Sequence, residues 1–151
     1  MVDLKNGILD FDGIRICGEM RLEDLERSDR IDVYRTPRVV LADSDVNTLC
    51  ISNVDFYLEL SFYKERIQYV ELTPQLKNLE APRGPEAWYQ RMKFDLCAEV
   101  LKEQLGAPSE GDGYAVKYAY DWGMITCQQI LDGKGAYTGG NIRISYKGEK
   151  S

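Results

Sequence analysis

Acidic side chains are the residues whose types and spacing could do acid–base or metal chemistry. Asp43-Ser44-Asp45 could coordinate a hard cation, and paired acids could share the roles of a glycosidase. The same triplet before an apolar strand is typical of a turn in which Asp and Ser bond their own backbone, and we favour that interpretation. Glu23, Asp24 and Glu26 are favourable charges for the first turn of a helix. The sequence therefore predicts ordinary local structure at these acids and no metal site.

Two glycine-containing segments resemble ligand loops only superficially. Residues 110–113, Glu-Gly-Asp-Gly, lack the alternating acids and the terminal Glu of a calcium loop. Residues 132–140 match neither the P-loop spacing nor the dinucleotide-binding spacing, and a strand follows them. Their glycines suit a hairpin connection with positive φ angles. We therefore expect no cofactor.

Histidine is absent from the chain, which excludes several catalytic classes. Ser-His-Asp and Cys-His sites lack their activating base, and zinc sites that need histidine lack a ligand. The four cysteines, Cys17, Cys50, Cys97 and Cys127, are far apart and form no C-x-x-C motif. Their even number leaves two disulfides open. We interpret each cysteine as a small, reduced, buried hydrophobe.

The balance of charge narrows the classes of partner. The 151 residues include 25 acidic and 19 basic side chains, which gives a formal net charge of −6. Nucleic-acid binders need clustered Lys and Arg, which this sequence lacks, and an anionic membrane is disfavoured as well. No apolar run approaches the ~18 residues of a membrane span, and no signal peptide is recognised. We expect a cytoplasmic protein whose charge keeps it soluble or attracts a basic protein partner.

The clearest strand signal lies in residues 54–62, where apolar residues at even positions alternate with polar residues at odd positions. This alternation is typical of an antiparallel strand with one face in the core and one in water. The polar face carries Asp55, Tyr57 and Glu59, with Tyr63 just beyond. Because Tyr supplies much contact area at low entropic cost, these four residues are the candidate protein-binding site. The alternative is a face that is merely wetted or covered by a helix.

A long helix is predicted for residues 86–105. Gly84-Pro85-Glu86 supplies a start, and Gly106 followed by Pro108 supplies a stop. Apolar residues recur between them at three- and four-residue spacing: Tyr89, Met92, Leu96 and Val100, with Cys97 and Leu101 beside them. Packing of this stripe on a sheet explains it, so no partner groove is expected.

The remaining patterns predict a sheet built from two meanders. The expected strands lie near residues 14–17, 35–41, 46–51, 54–62, 66–72, 114–120, 124–131 and 141–146, with a short helix near 21–27. The fold class is therefore α+β, in one domain over residues 1–151. A mostly antiparallel sheet of about six to eight strands carries one long and one short helix packed on it. An edge strand of such a sheet could pair with a second copy to give a homodimer.

An aromatic run follows the long helix. Tyr114, Tyr118, Tyr120 and Trp122 could stack bases or sugars. Stacking on single-stranded nucleic acid needs interleaved cations, and only Lys117 is present, on the opposite strand face. We favour core aromatics whose hydroxyls reach an edge.

Three segments resemble the ending of many small bacterial proteins. They are residues 101–106, the run Tyr120-Asp121-Trp122-Gly123, and residues 142–146. In those proteins a helix ending in Leu-Gly precedes a hairpin with Trp-Gly and a final strand ending in Tyr. Some small acidic α+β proteins of this kind are immunity proteins, which bind and neutralise a toxin. The resemblance implies a bacterial source more than an activity.

Two classes of function remain. The first is a non-catalytic protein-binding module, of the immunity or inhibitor type, with an acidic, Tyr-bearing surface. The alternative is a small-ligand-binding protein or a hydrolase that uses carboxylate and tyrosine side chains in a deep pocket. Because histidine and recognisable motifs are absent, we favour the binding module.

Overall fold

The computed structural model describes residues 2–11, 13–25, 32–35, 40–43, 49–76, 87–131 and 137–147. The strands are β1 (Leu9–Phe11), β2 (Ile14–Ile16), β3 (Asp32–Arg35), β4 (Val40–Asp43), β5 (Leu49–Ile51), β6 (Val54–Tyr63), β7 (Arg66–Pro74), β8 (Glu110–Gly111), β9 (Ala115–Tyr120), β10 (Gly123–Leu131) and β11 (Tyr137–Tyr146). The helices are α1 (Leu22–Leu25) and α2 (Ala87–Leu105), with a 3₁₀ turn at Leu4–Asn6. Neither α1 nor α2 is long and apolar enough to cross a bilayer.

The strand pairings within the described ranges are all antiparallel. β1 and β2 form a separate hairpin, and the other nine strands form one large sheet in the order β3-β4-β6-β7-β11-β10-β9-β8, with β5 pairing β6 beside β4. The two predicted meanders are β5-β6-β7 and β9-β10-β11, and pairing of β7 with β11 joins them. The predicted α+β class is therefore confirmed.

The predicted number of strands was too small. One strand was expected near residues 35–41, but β3 and β4 lie on either side of residues 36–39, which fall outside the described ranges. The first residues add β1, and the glycine-containing segment 110–113 contributes the two-residue strand β8. Such short edge strands have too few residues for a period-two pattern to stand out in the sequence.

One face of the large sheet carries the hydrophobic core. Eight apolar side chains of β6, β7, β10 and β11 are at most 1% exposed on this face: Phe56, Leu58, Leu60, Val70, Leu72, Ile125, Ile142 and Ile144. Helix α2 packs here, mainly against β11 and β10, so we call this the covered face. Each buried Leu or Ile contributes roughly 1.5–3 kcal/mol of transfer free energy. The alternation predicted for residues 54–62 is confirmed from Phe56 to Leu60, whereas Ser61 of the predicted polar face is buried.

The predicted apolar stripe of α2 is only partly correct. Cys97, Val100 and Leu101 are buried as expected, but Met92 is 42% exposed. Phe94 is buried instead, at 3% exposure. The helix is therefore turned so that its buried side is centred on Cys97, and Met92 faces solvent.

Gly140 of β11 explains how closely the helix sits. It has φ +80°, and a Cβ there would lie 2.8 Å from the Gln90 carbonyl oxygen and 3.2 Å from the Phe94 nitrogen. The β10–β11 register shifts at this level, between Cys127 and Gln129. A glycine in this bulge lets the helix backbone approach the strand. The predicted stop of α2 is also confirmed, since Gly106 has φ +80°.

Aromatic side chains tie the N-terminal segment to the end of the large sheet. The indole nitrogen of Trp122 donates to the Lys5 carbonyl at 2.8 Å, and the Tyr146 hydroxyl donates to the Gly7 carbonyl at 2.9 Å. Tyr120 stacks on Trp122, with 5.4 Å between ring centroids. Tyr118, Tyr120 and Trp122 therefore pack in or against the core, as the favoured interpretation expects, but Tyr114 is 53% exposed and does not.

Several predictions fall on residues outside the described ranges. These are the start of the long helix at Gly84-Pro85-Glu86, the end of the short helix beyond Leu25, Ser44 and Asp45 of the acidic triplet, and residues 132–136 of the glycine-rich segment.

Candidate functional site

The second face of the large sheet is polar, and we call it the open face. It is defined by Tyr57, Glu59, Tyr69, Glu71 and Arg143, which alternate along β6, β7 and β11 with the buried residues of the covered face. All five side chains are partly or fully exposed to solvent. Since a strand has a period of two, the pattern that buries one face fixes the composition of the other.

The structure places all four predicted binding residues on the open face, and each is partly exposed. The Tyr57 hydroxyl accepts a hydrogen bond from Gln75 Nε2 at 3.1 Å. Eight residues separate Asp55 from Tyr63, a distance of roughly 26 Å along an extended strand. Tyr57 and Glu59 therefore lie at the centre of the face, whereas Asp55 and Tyr63 mark its two ends.

Acidic residues occupy the same register level on three neighbouring strands. Asp43 of β4 is the partner of Glu59 in β6, and Glu59 is the partner of Glu71 in β7. Like charges directly opposite each other destabilise an antiparallel pair. Glu59 and Glu71 therefore place two carboxylates side by side on the open face.

Positive charge begins on the next strand. Arg143 of β11 is the register partner of Glu71, and its Nη2 donates to Glu71 Oε2 at 2.9 Å. The guanidinium carbon lies 4.0 Å from the centroid of the Tyr69 ring. The same level continues through Thr126 in β10 to Lys117 in β9. The open face is thus acidic on β6 and β7 and cationic from β11 to β9.

Lys93 links helix α2 to this charged row. Pairing of β7 with β11 stops at Ile142, and at that point the Lys93 ammonium donates to Asn141 Oδ1 at 3.3 Å. Asn141 Nδ2 in turn donates to Glu71 Oε1 at 2.9 Å. Burial lowers the pKa of Lys93, with Cys97 and Glu71 acting in the opposite direction. Glu71 is therefore fixed from both sides, by Arg143 and by a chain of contacts from the helix.

The cysteines form no disulfide, and all four thiols are free. Cys97 and Cys127 are fully buried. The hydrogen bond between them and their burial raise the pKa of Cys97 strongly, which suppresses the reactive thiolate. The interpretation of every cysteine as buried was wrong for Cys50, which is exposed, and only partly correct for Cys17, which is half-buried. Its neighbours in β5 point inward, so the alternation of the strand directs Cys50 outward.

A cavity of about 370 Å³ lies at the β8–β9–β10 end of the sheet. Its lining includes Glu110, Asp112, Lys117 and Thr126, and no tyrosine lines it among the described residues. Asp112 Oδ1 accepts hydrogen bonds from the backbone nitrogens at 114 and 115, at 2.7 and 2.9 Å. One of the two carboxylates therefore shapes a turn.

The other acidic candidates serve local structure. Asp24 Oδ2 accepts a hydrogen bond from the Arg21 nitrogen at 3.0 Å, so it stabilises the start of α1 as predicted. Asp43 lies at the end of β4. Over the described part of the chain, no three Cys, Asp or Glu residues are grouped so that they could hold a metal ion.

Comparison of the chain with protein-family models, curated proteins and solved structures finds no match. Function therefore has to be argued from the chain itself. The open face is the surface where charged side chains share one register level, with Tyr57 and Tyr69 at the neighbouring levels.

Sequence reasoning found one strand of the open face and missed its neighbours. Tyr69, Glu71 and Arg143 complete the face because β7 and β11 lie beside β6 in the sheet. The alternation of Ile142 and Ile144 with Arg143 and Ser145 signalled the side on which Arg143 lies. The pairing of β7 with β11 joins residues as far apart in the chain as Leu72 and Ile142, so it has no local signal.

Proposed function

We propose that the chain is a non-catalytic protein-binding module of the inhibitor or immunity type, acting in the cytoplasm, and that its open face binds a basic protein. The observation that carries this proposal is the pair of acidic residues Glu59 and Glu71 at one register level of the open face, with Tyr57 two residues before Glu59 on β6. A basic surface would complement the charge of these two carboxylates. The net charge of −6 would also steer a basic partner toward the chain.

The aromatic side chains of the open face support a binding role because they are held before any partner arrives. Arg143 lies over the Tyr69 ring, and Gln75 bonds the Tyr57 hydroxyl. Ordering a free side chain at an interface costs roughly 0.5–1.5 kcal/mol, and pre-held side chains avoid part of that cost. The partner can thus use flat, rigid tyrosine surfaces flanked by charge.

The dimensions of the open face suit a small, electrostatically guided interface. From β6 to β9 it is roughly 19 Å wide, because five adjacent strands lie about 4.8 Å apart. With a length of roughly 26 Å, its area is on the order of 500 Å², less than the ~800 Å² per partner of a standard interface. Charge complementarity must therefore contribute much of the specificity and the association rate.

The experiment compares the tagged wild-type protein with Glu59→Lys and Glu103→Lys as baits in a lysate of the source organism. Glu103 is exposed on α2, so its substitution makes the same charge change away from the open face. We expect one basic protein with the wild type and with Glu103→Lys, lost in ~0.5 M salt and lost with Glu59→Lys. Titration of that purified protein by calorimetry should show at least about a tenfold weaker Kd for Glu59→Lys. Equal binding by both variants, or an acidic partner, would contradict the proposal.

The small-ligand alternative has one observation in its favour, the cavity beside Lys117 and Thr126. It would take a small polar ligand that bonds the ammonium and the hydroxyl. Saturation transfer NMR with a panel of small polar metabolites, repeated on Lys117→Ala, tests it. A ligand that binds the wild type and is lost in the variant would favour this function over protein binding.

A further inference from the structure

Three of the four strongly exposed large hydrophobic side chains lie near one another. Four large hydrophobic residues of the described chain stand out: Trp88 at 49% exposure, Met92 at 42%, Tyr114 at 53% and Met124 at 38%. Trp88 and Met92 are one helical turn apart on the outer side of α2. Tyr114 joins them through Arg91, whose guanidinium carbon lies 5.6 Å from the Tyr114 ring centroid. We call Trp88, Arg91, Met92 and Tyr114 the helix patch.

The helix patch is built of the residue types that dominate protein interfaces, and its parts are fixed in place. Trp, Tyr, Met and Arg are enriched at interfaces relative to other surfaces. Arg91 donates to the Gly113 carbonyl and to Gln129 Oε1 at 3.3 Å, and its Nε lies 3.1 Å from Asp95 Oδ1. The Trp88 ring packs edge-on against Tyr89, with 5.7 Å between centroids. An exposed apolar surface whose side chains are already ordered loses little conformational entropy on binding, which favours its use as an interface.

We propose that the helix patch is the interface of a two-fold symmetric homodimer. A two-fold interface must be self-complementary, because each surface meets its own copy. Suppose that two copies of α2 cross antiparallel by their outer sides, with the two-fold axis level with Gln90. Trp88 of one protomer then lies against Met92 of the partner subunit, and the reverse contact is made at the same time. Methionine sulfur packs favourably on aromatic rings, so this pairing matches the two side chains to each other.

The charges on α2 are compatible with a second copy. The outer side of the helix continues from Met92 into Asp95, Glu99 and Glu103, which are all exposed. Glu99 lies nine residues from the crossing point, or roughly 13 Å, so the two copies of Glu99 are about 27 Å apart. That separation exceeds the ~8 Å Debye length at physiological salt. Asp95 is nearer the axis, but Arg91 compensates its charge.

The exposed area sets the expected strength of the dimer. Two half-exposed aromatic rings and a half-exposed methionine present on the order of 300 Å² per protomer. A standard interface buries about 800 Å² per partner, so this dimer is weak and forms at micromolar or higher concentrations. The dimer does not require the proposed function, because the open face lies on the other side of the sheet and points away from the two-fold axis.

The test is sedimentation velocity of the full chain over roughly 5–500 µM, the range in which an interface of this size associates. Wild type is compared with Trp88→Ala, Met92→Glu and Met124→Glu. Met124 is also exposed but lies on the open face, so Met124→Glu is the matched control. We expect wild type and Met124→Glu to dimerise alike, and the other two variants to dimerise at least about thirtyfold more weakly, as removal of a central interface residue does.

Tryptophan fluorescence gives an independent readout. The chain has two tryptophans, and Trp122 is stacked on Tyr120, so dilution of the dimer should shift mainly the emission of Trp88 to longer wavelength. Unfolding midpoints show that each variant is folded, and Met92→Gln replaces Met92→Glu if the latter is not. A wild type that stays monomeric over the whole range overturns the proposal. So does a dimer that Met124→Glu disrupts and Met92→Glu does not, since its contact would lie on the open face.

Discussion

The same strands form the covered face and the open face, but the cross-strand pairs on the two faces affect stability in opposite directions. On the covered face, Leu60 and Val70 are register partners and both are fully buried. One residue earlier on β6, the register partners on the open face are Glu59 and Glu71, two like charges. A pair of the first kind stabilises the fold, whereas a pair of the second kind opposes it slightly. Residues of the covered face therefore specify the fold, whereas the charged residues of the open face are held in place by the fold and are available for binding.

The largest expected effect is on the covered face. Leu60→Ala removes a fully buried side chain from the covered face, and it leaves a cavity. We expect a loss of about 2–5 kcal/mol in the free energy of unfolding, measured by urea denaturation followed by circular dichroism. A loss below about 1 kcal/mol would show that the covered face is loosely packed and that its buried pairs do not stabilise the fold as expected.

The next effect concerns the contact between the covered face and α2. Gly140→Ala places a Cβ against the Gln90 carbonyl and the Phe94 nitrogen, and it also forces a left-handed residue away from glycine. Gly13 has φ +79°, and no atom lies within 4 Å of a Cβ built there. Gly13→Ala therefore reports the backbone strain alone, roughly 1–2 kcal/mol.

We expect Gly140→Ala to cost about 1–3 kcal/mol more than Gly13→Ala, since helix and strand backbones would have to separate. Thermal unfolding of the two variants side by side measures the difference. Equal destabilisation would mean that α2 can shift outward freely and that the bulge in β11 does not determine its position.

A third prediction concerns Lys93, the residue that crosses from the covered face toward the open one. Because burial lowers its pKa below the ordinary 10.5, the folded protein binds this proton less tightly than the unfolded chain. Between the lowered pKa and 10.5 the unfolded chain holds more protons, so this group makes stability rise with pH. Lys93→Met removes that contribution. The stability of wild type relative to Lys93→Met should therefore increase from pH 7 to pH 10.

Urea unfolding of both proteins at pH 7, 8, 9 and 10 provides the measurement. Tyrosines such as Tyr146, whose pKa is raised by burial, make the folded protein less stable at alkaline pH. This contribution is the same in wild type and Lys93→Met, so the difference between the two proteins removes it. A flat or falling difference would show that the ammonium is well solvated through the gap beside Asn141, so the two faces would be connected by water.

The two faces also differ in how many of their residues could be predicted from the sequence. The covered face of β6 was predicted residue by residue, because period-two alternation fixes which side chains point inward. The open face was predicted only along β6, at Tyr57 and Glu59. Tyr69 and Arg143 joined it through register, which depends on pairing between distant strands and leaves no trace in a local pattern.

The orientation of α2 about its own axis could not be predicted from the sequence, because it also depends on a contact with a distant strand. The predicted stripe included Met92 beside Cys97 and Leu101. The structure buries Cys97 and Leu101 as expected but takes Phe94 into the buried side in place of Met92. The close approach of Gly140 to Phe94 holds the helix in this orientation. Met92 is therefore exposed and becomes part of the helix patch.

The smallest expected effect distinguishes the two faces most sharply. Glu59→Gln removes one of two opposed carboxylates and keeps the shape of the side chain. Because the partner Glu71 is held by Arg143 and Asn141, we expect a change within about 0.5 kcal/mol, in the direction of greater stability at low salt. Raising the ionic strength from ~10 mM to ~0.5 M should reduce the gain toward zero, since screening removes the repulsion. Urea unfolding at the two salt concentrations measures it, with Glu103→Gln on α2 as the control that lacks a cross-strand partner. If Glu59→Gln instead cost more than about 1 kcal/mol, Glu59 would contribute to holding the sheet together. Its presence on the open face would then need no partner protein to explain it.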